Sequence, residues 1–225
     1  MTDHQKMKKD LAVIFDMDGV LVDSNPYHKV ALIEFCAKYG HTLSDTELAE
    51  KVYGRTNKEW LTNLFGPLTP AQLLQYTEEK ELLYQQLHRA VIKPVKGLIP
   101  FLDLLEENNI PKAIGTSAPR GNVDFVLGNT ATEKYFPIIL HDTFVTRGKP
   151  DPEIYLKAIA TLKMPASKCI VIEDSLSGIA AGKAAGAKVI GITTTHTREE
   201  MQDTDWVIDD FDDLDLATLE RIASS

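Results

Sequence analysis

Short apolar runs that halt at polar residues constrain this chain most. Leu11-Ala12-Val13-Ile14-Phe15 stops at Asp16, Lys112-Ala113-Ile114-Gly115 at Thr116-Ser117, and Cys169-Ile170-Val171-Ile172 at Glu173-Asp174. Such runs, without alternation, suit strands covered on both faces of a parallel sheet. Lys188 to Ile192 and Trp206 to Ile208 supply two more, and helical patterns at Leu98 to Glu107, Pro152 to Leu162 and Leu176 to Ala185 separate them. The alternation predicts an α/β fold, a doubly wound, Rossmann-like parallel sheet.

Residues 16–111 separate the first two runs, far more chain than a crossover needs. From Pro26 to Val91 the pattern is helical: Val30, Ile33 and Ala37 at helical spacing, Ser44 and Glu47 at capping-box spacing, then a long run from Pro70 to Arg89. This reads as a small all-helical second domain, residues 25–92, inserted after the first strand of a core made of 1–24 and 93–225. The hinges fall near Ser24-Asn25-Pro26 and Lys93-Pro94.

Charge and composition exclude several partners. Lys and Arg number 24 against 33 Asp and Glu, a net charge of −9, and no basic run exceeds Lys6-Met7-Lys8-Lys9. Nucleic acid is therefore not expected. The apolar runs fall far short of the roughly 20 residues needed to cross a bilayer, so no membrane partner is expected. The opening Met1-Thr2-Asp3-His4-Gln5 has no apolar signal region. Cys36 and Cys169 lie far apart in apolar surroundings and suit buried, reduced thiols. The expectation is a cytoplasmic protein, working as a monomer.

In an open parallel sheet a ligand sits beyond the carboxyl ends of the strands. Asp16-Met17-Asp18-Gly19, Thr116-Ser117 and Glu173-Asp174 all fall there, and Lys149 lies in the turn-rich Gly148-Lys149-Pro150-Asp151-Pro152 before a helix. Asp16, Asp18, Glu173 and Asp174 would repel one another without a cation between them. A donor set made only of oxygen favours magnesium. Metal, lysine and hydroxyl around one carboxylate suit a phosphoryl group, where catalysis is mostly charge neutralisation and in-line positioning. Asp16 can attack phosphorus, and Asp18 can donate a proton to the leaving oxygen and later take one from water. A glycine at position 19 lets the chain turn away at once.

Other signals are weaker. Gly178-Ile179-Ala180-Ala181-Gly182-Lys183-Ala184 lacks the spacing and hydroxyl of a P-loop. With Gly186 its glycines recur every fourth residue, which fits a helix face packed close to the sheet. His88, His141 and His196 have no metal-ligand spacing. The acidic run from Asp203 to Asp215 reads as a solvated face and a helix N-terminus.

Phe15-Asp16-Met17-Asp18-Gly19-Val20-Leu21-Val22-Asp23-Ser24, Gly115-Thr116-Ser117, Gly148-Lys149-Pro150-Asp151-Pro152 and Ile172-Glu173-Asp174-Ser175, with Gly178 and Ala185-Gly186-Ala187, span almost the whole chain. In these motifs the sequence resembles the haloacid dehalogenase superfamily of phosphotransferases, in the subgroup of β-phosphoglucomutase and small sugar phosphatases. The resemblance implies that Asp16 is the nucleophile forming an aspartyl phosphate and Asp18 the general acid and base. It implies that magnesium is held by the Asp16 carboxylate, the Asp18 backbone carbonyl and Asp174, with Glu173 assisting through water. It further implies that Thr116 and Lys149 grip the transferring phosphoryl group, that backbone around Met17, Ser117 and Ala118 completes the cradle, and that the helical insertion is a cap domain that closes over the substrate. Dehalogenating members lack the second aspartate and the metal, so Asp18 and Asp174 point away from that branch.

In the insertion, Pro26-Tyr27-His28 resembles the mutase linker, with His28 coupling substrate binding to closure, and Lys80 matches a lysine for the substrate's distal phosphate. The departure is Gly54-Arg55-Thr56-Asn57-Lys58, where Asn57 stands in place of the mutase's phosphate-gripping arginine. Arg55 and Lys58 are the candidate substitutes, although a displaced cation does not replace an arginine fork. A mutase must hold two phosphates and a phosphatase only one. The sequence therefore favours a magnesium-dependent phosphatase of a small phosphorylated metabolite, a sugar phosphate, ahead of the mutase, with pyrophosphatase also open. A phospho-accepting receiver module is disfavoured by the insertion and by an acceptor on the first strand.

Overall fold

A computed structural model describes residues 10–52 and 56–225. β1 (Ala12–Phe15) leads into four helices, α1 (Asn25–Lys38), α2 (Asp45–Lys51), α3 (Asn57–Phe65) and α4 (Pro70–His88). The chain then alternates through α5 (Leu98–Glu107), β2 (Lys112–Gly115), α6 (Arg120–Thr130), β3 (Ile139–Leu140), α7 (Glu153–Leu162), β4 (Cys169–Glu173), α8 (Leu176–Ala184), β5 (Lys188–Ile192), β6 (Trp206–Ile208) and α9 (Leu216–Ser224). The helical insertion, Ser24–Ile92, and the remainder form separate compact units.

The strands make one six-stranded sheet in the order β3-β2-β1-β4-β5-β6. Every pairing is parallel. The expected doubly wound α/β fold with a helical insertion after the first strand is therefore the fold that forms. β1 lies between β2 and β4, which puts the reversal of strand order at its own carboxyl end. β1 is buried throughout. Phe15 meets Phe136 edge-on with ring centroids 5.5 Å apart and Phe101 at 6.2 Å. Ala12 and Ile14 pack with Ile154 and Tyr155 of α7, Val171 of β4 and Val189 of β5.

α8 lies close against that sheet because it has glycines where side chains would collide. A Cβ on Gly182 would sit 3.0 Å from Val189 Cγ2 and 3.3 Å from Val171 Cβ. Gly186 belongs to a different device: it lies past the helix with a φ of 78°, the left-handed turn that ends it.

The helical unit has its own core of Leu32, Phe35, Cys36, Leu48, Val52, Trp60 and Leu61. The helix expected from the spacing of Val30, Ile33 and Ala37 forms as α1, but those three are exposed and its buried face is Ala31, Leu32, Phe35 and Cys36. α1 is apolar on more than one side, so spacing alone does not choose the inward face. Phe35 decides it by meeting Tyr39, Trp60, Phe65 and Tyr76 with centroids 5.0 to 6.0 Å apart. Full capping boxes start α2, α3 and α4, at Ser44/Glu47, Thr56/Glu59 and Thr69/Gln72. Each satisfies backbone donors that the first helical turn leaves open.

Both cysteines are free and buried, and burial pushes each thiol up to about 11. Among the described residues no helix is long and apolar enough to cross a membrane.

Candidate active site

Register brings the polar residues together. Phe15 pairs with Ile114 on one side and Ile172 on the other. Asp16, Gly115-Thr116 and Glu173-Asp174 therefore leave the sheet side by side at its carboxyl edge. The Asp16 amide still donates to Ile172 O at 3.1 Å, so the strand pairing extends to the carboxylate itself. Gly19, with a φ of 76°, then reverses the chain, its amide donating to Val22 O at 2.8 Å. Met17 is buried and Asp18 partly exposed. The Thr116 hydroxyl, buried at the end of β2, accepts the Ala118 amide at 3.1 Å, which folds the Ser117-Ala118 turn back on it.

Lys149 links the two sides. Its ammonium donates to Asp16 Oδ1 at 2.7 Å and to Glu173 Oε1 at 2.6 Å, and it stands 5.0 Å from the centre of the Tyr155 ring. Carboxylate oxygens of Asp16, Glu173 and Asp174 lie within 4.8 Å of one another, all three residues buried. Three carboxylates against one ammonium leave a formal −2 in a low-dielectric place. Burial, opposed by Lys149 and reinforced by Glu173, pushes the Asp16 carboxyl up to about 7. Burial and the charges of Glu173 and Asp16 raise Asp174 well above the carboxylate range. Glu173 is pushed up by burial too, but Lys149 and its hydrogen bonds hold it below its usual value. A compact, all-oxygen site short of positive charge suits a hard divalent cation.

Glu173 plays a different part from the one its neighbours suggest. Oε1 accepts from Lys149 and, at 2.6 Å, from the Tyr155 hydroxyl; Oε2 accepts from the amides of Asp174 and Ser175 and from Ser175 Oγ at 3.0 to 3.1 Å. Five donors fill a carboxylate that offers about four lone-pair sites. Glu173 thereby anchors Lys149 and the β4–α8 turn while staying one of the three carboxylates gathered within 4.8 Å of one another.

The insertion residues assemble among themselves. His28 stacks on Tyr84 with centroids 3.6 Å apart, and Tyr27 stacks on His88 at 4.2 Å. Buried Lys80 donates to both Glu81 oxygens at 3.0 and 3.1 Å, with its ammonium 3.3 Å from His28 Nδ1. Asn57 donates to Glu81 Oε1 at 3.1 Å and accepts from Trp60 Nε1 at 2.9 Å. Lys58 is exposed, and Arg55 lies outside the described residues. His88 meets Tyr84, His141 meets Asp142 and His196 meets Glu200, in separate places.

Three contributors were not singled out in the sequence. Tyr155 in α7 caps Glu173, the Thr195 hydroxyl donates to Asp174 Oδ2, and the Thr194 hydroxyl donates to the Gly19 carbonyl. The available signal was the run Thr193-Thr194-Thr195 directly after an apolar strand. Ser175 caps α8 through the Gly178 amide at 3.1 Å, and Gly178 has no room for more. A Cβ there would lie 1.7 Å from Glu173 Oε1. Gly178→Ala is expected to cost about 1–3 kcal/mol by overpacking and to displace Lys149 with Glu173. Urea unfolding and turnover measured together check this, and an unchanged protein would contradict it.

Comparison with known proteins agrees with this arrangement. The family model for haloacid dehalogenase-like hydrolases matches residues 13–192. The chain is 34% identical over 184 residues to the phosphorylated carbohydrates phosphatase of Thermotoga maritima, covering 80% of this chain and 83% of that one. It is 32% identical over 189 residues to the β-phosphoglucomutase of Bacillus subtilis, covering 80% and 82%. A crystal structure of a family IA, variant 3 hydrolase from Entamoeba histolytica superposes with a TM-score of 0.87 at 32% identity, covering 97% of this chain and all of that one. The family model runs from β1 through β5 and so takes in Asp16, Lys149, Glu173 and Asp174 together. With that span matched, the chain belongs to the haloacid dehalogenase-like hydrolases.

Proposed function

We propose that this protein is a magnesium-dependent phosphatase that hydrolyses a small phosphorylated metabolite, a sugar phosphate, through an aspartyl-phosphate intermediate. The observation that carries the reading is Lys149 bridging Asp16 and Glu173 beside Asp174, at the carboxyl end of the strand where sheet order reverses.

Asp16 is the nucleophile. One carboxylate oxygen is held by Lys149, which turns the other toward an incoming phosphorus. As the Asp16 oxygen bonds to phosphorus, the bond from phosphorus to the leaving oxygen breaks, and Asp18 gives that oxygen its proton. Asp18 then takes a proton from water, the water oxygen attacks phosphorus, and the Asp16–phosphorus bond breaks to release phosphate. Lys149, Thr116 and the backbone around Met17, Ser117 and Ala118 hold the equatorial oxygens where charge is greatest. Asp16, Asp174 and the Asp18 carbonyl are the groups that would hold magnesium. When bound, the ion neutralises the phosphate and the carboxylates facing it.

Hydrolysis is favoured over mutase chemistry by the insertion. A mutase must grip a second phosphate, and the Lys80 ammonium is already matched by Glu81, as is the Asn57 amide. The test is purified protein with magnesium and a panel of sugar phosphates. It includes β-glucose 1-phosphate with a trace of the 1,6-bisphosphate, and also pyrophosphate. Free phosphate and glucose 6-phosphate are followed together. Free phosphate from a phosphosugar is the expected result. Glucose 6-phosphate without free phosphate would replace the phosphatase by the mutase, and cleavage confined to pyrophosphate would replace it by a pyrophosphatase.

A further inference from the structure

We infer that Thr193-Thr194-Thr195 is a clasp that sets the magnesium affinity of this site, with Thr195 positioning Asp174 and Thr194 positioning the loop that carries Asp16 and Asp18. The inference rests on the metal assignment above but needs no particular substrate.

The three hydroxyls leave β5 and reach three different places. Thr193 is fixed to the end of β6, its amide donating to Ile208 O at 3.0 Å and its hydroxyl to Asp209 Oδ1 at 2.8 Å. Thr194 donates to the carbonyl of Gly19, directly after Asp18. Thr195 donates to Asp174 Oδ2. β5 borders β4 but not β1, so the segment crosses β4 to hold the β1 loop as well as Asp174. It therefore joins the two chain segments that supply the oxygens.

A carboxylate with one oxygen held by a hydroxyl keeps one orientation. Without the hydroxyl it must be ordered at the moment of binding. Partners that orient a metal's ligands characteristically change affinity about 10- to 100-fold when removed. Thr195 is a positioning residue in this sense: it touches the ligand and not the metal.

The test uses the full chain stripped of divalent ions with EDTA and titrated with magnesium chloride by isothermal titration calorimetry, with Tm read separately with and without the ion. The titration gives the dissociation constant, while the metal-free Tm reports structure alone. Thr195→Val is expected to raise the dissociation constant about 10- to 100-fold, Thr195→Ser to stay near wild type, and Thr194→Val to move in the same direction as Thr195→Val. If Thr195→Val does not fold, Thr195→Ala is titrated in its place. An unchanged dissociation constant without the Thr195 hydroxyl overturns the clasp. A wild type whose Tm ignores magnesium overturns the clasp together with the metal assignment. Magnesium binding weakened as expected, in a protein that hydrolyses no phosphate ester, upholds the clasp and removes only the phosphatase reading.

Discussion

Asp16→Asn is expected to lower phosphate release by about 10⁴- to 10⁶-fold, the scale on which enzymes lose rate when a covalent nucleophile is removed. At 1.36 kcal/mol per tenfold this is about 5–8 kcal/mol of transition-state stabilisation. The amide can occupy the same place and still accept from Lys149, so binding of the substrate should change far less than turnover. Stability should move the other way. Burial pushes the Asp16 carboxyl up to about 7, above its ordinary 3.8. A carboxyl raised on folding weakens the fold as pH climbs from its unfolded value toward its folded one, and the penalty persists above that. The neutral variant escapes the penalty, and Lys149 keeps Glu173 as a counter-ion at 2.6 Å. The metal-free Tm at about pH 8 should thus stay level or rise. A variant that turns over like wild type would remove Asp16 from the chemistry; one that fails to fold would show that the carboxylate is structural.

The strands were legible because their chemistry is local. The runs at Lys112–Gly115, Lys188–Ile192 and Trp206–Ile208 keep their boundaries in the structure, since continuous apolar residues between polar stops leave a buried strand few alternatives. β3 escaped notice because two residues, Ile139–Leu140, carry no period. α6 escaped because Gly121, Asn122, Gly128 and Asn129 weaken any helical signal. Thr56/Glu59 and Thr69/Gln72 have the same spacing as Ser44/Glu47 and could have been read with it.

Asp16, Thr116, Lys149, Glu173 and Asp174 were readable because strand ends define one edge of a parallel sheet. Tyr155, Thr194 and Thr195 were not, because a hydroxyl's partner depends on strand order and register. Only when β5 is beside β4 does a threonine after β5 meet Asp174. The saturation of Glu173 was equally hidden. Its acidic neighbour suggests a second ligand, while its five donors come from α7, the loop before it and the turn into α8.

Lys149→Met should give the largest loss of stability, and its pH dependence should separate charge from packing. Methionine fills much of the lysine stem's volume, so what disappears is the ammonium between Asp16 and Glu173, in a side chain only 8% exposed. Breaking a buried pair on one side leaves uncompensated charge and costs about 3–5 kcal/mol. For a chain of this size, at roughly 2–4 °C per kcal/mol, Tm should fall by about 6–20 °C. Turnover should drop as well, by about 10²- to 10³-fold, as when one preorganised donor is taken from a transition-state site. The sign of the pH effect follows from the carboxylates. In the wild type Lys149 holds Glu173 below its usual value, so that group stabilises the fold above its unfolded pKa and the benefit fades on acidification. Without Lys149, burial and mutual repulsion raise both Asp16 and Glu173, and their penalty is relieved as acid protonates them. Both trends shrink the Tm gap between variant and wild type as pH falls from about 8 to about 5. Differential scanning calorimetry across that range is the measurement. A gap independent of pH would mean that the lysine acts through its stem and the Tyr155 ring, and a gap that widens in acid would contradict the electrostatic account of the site.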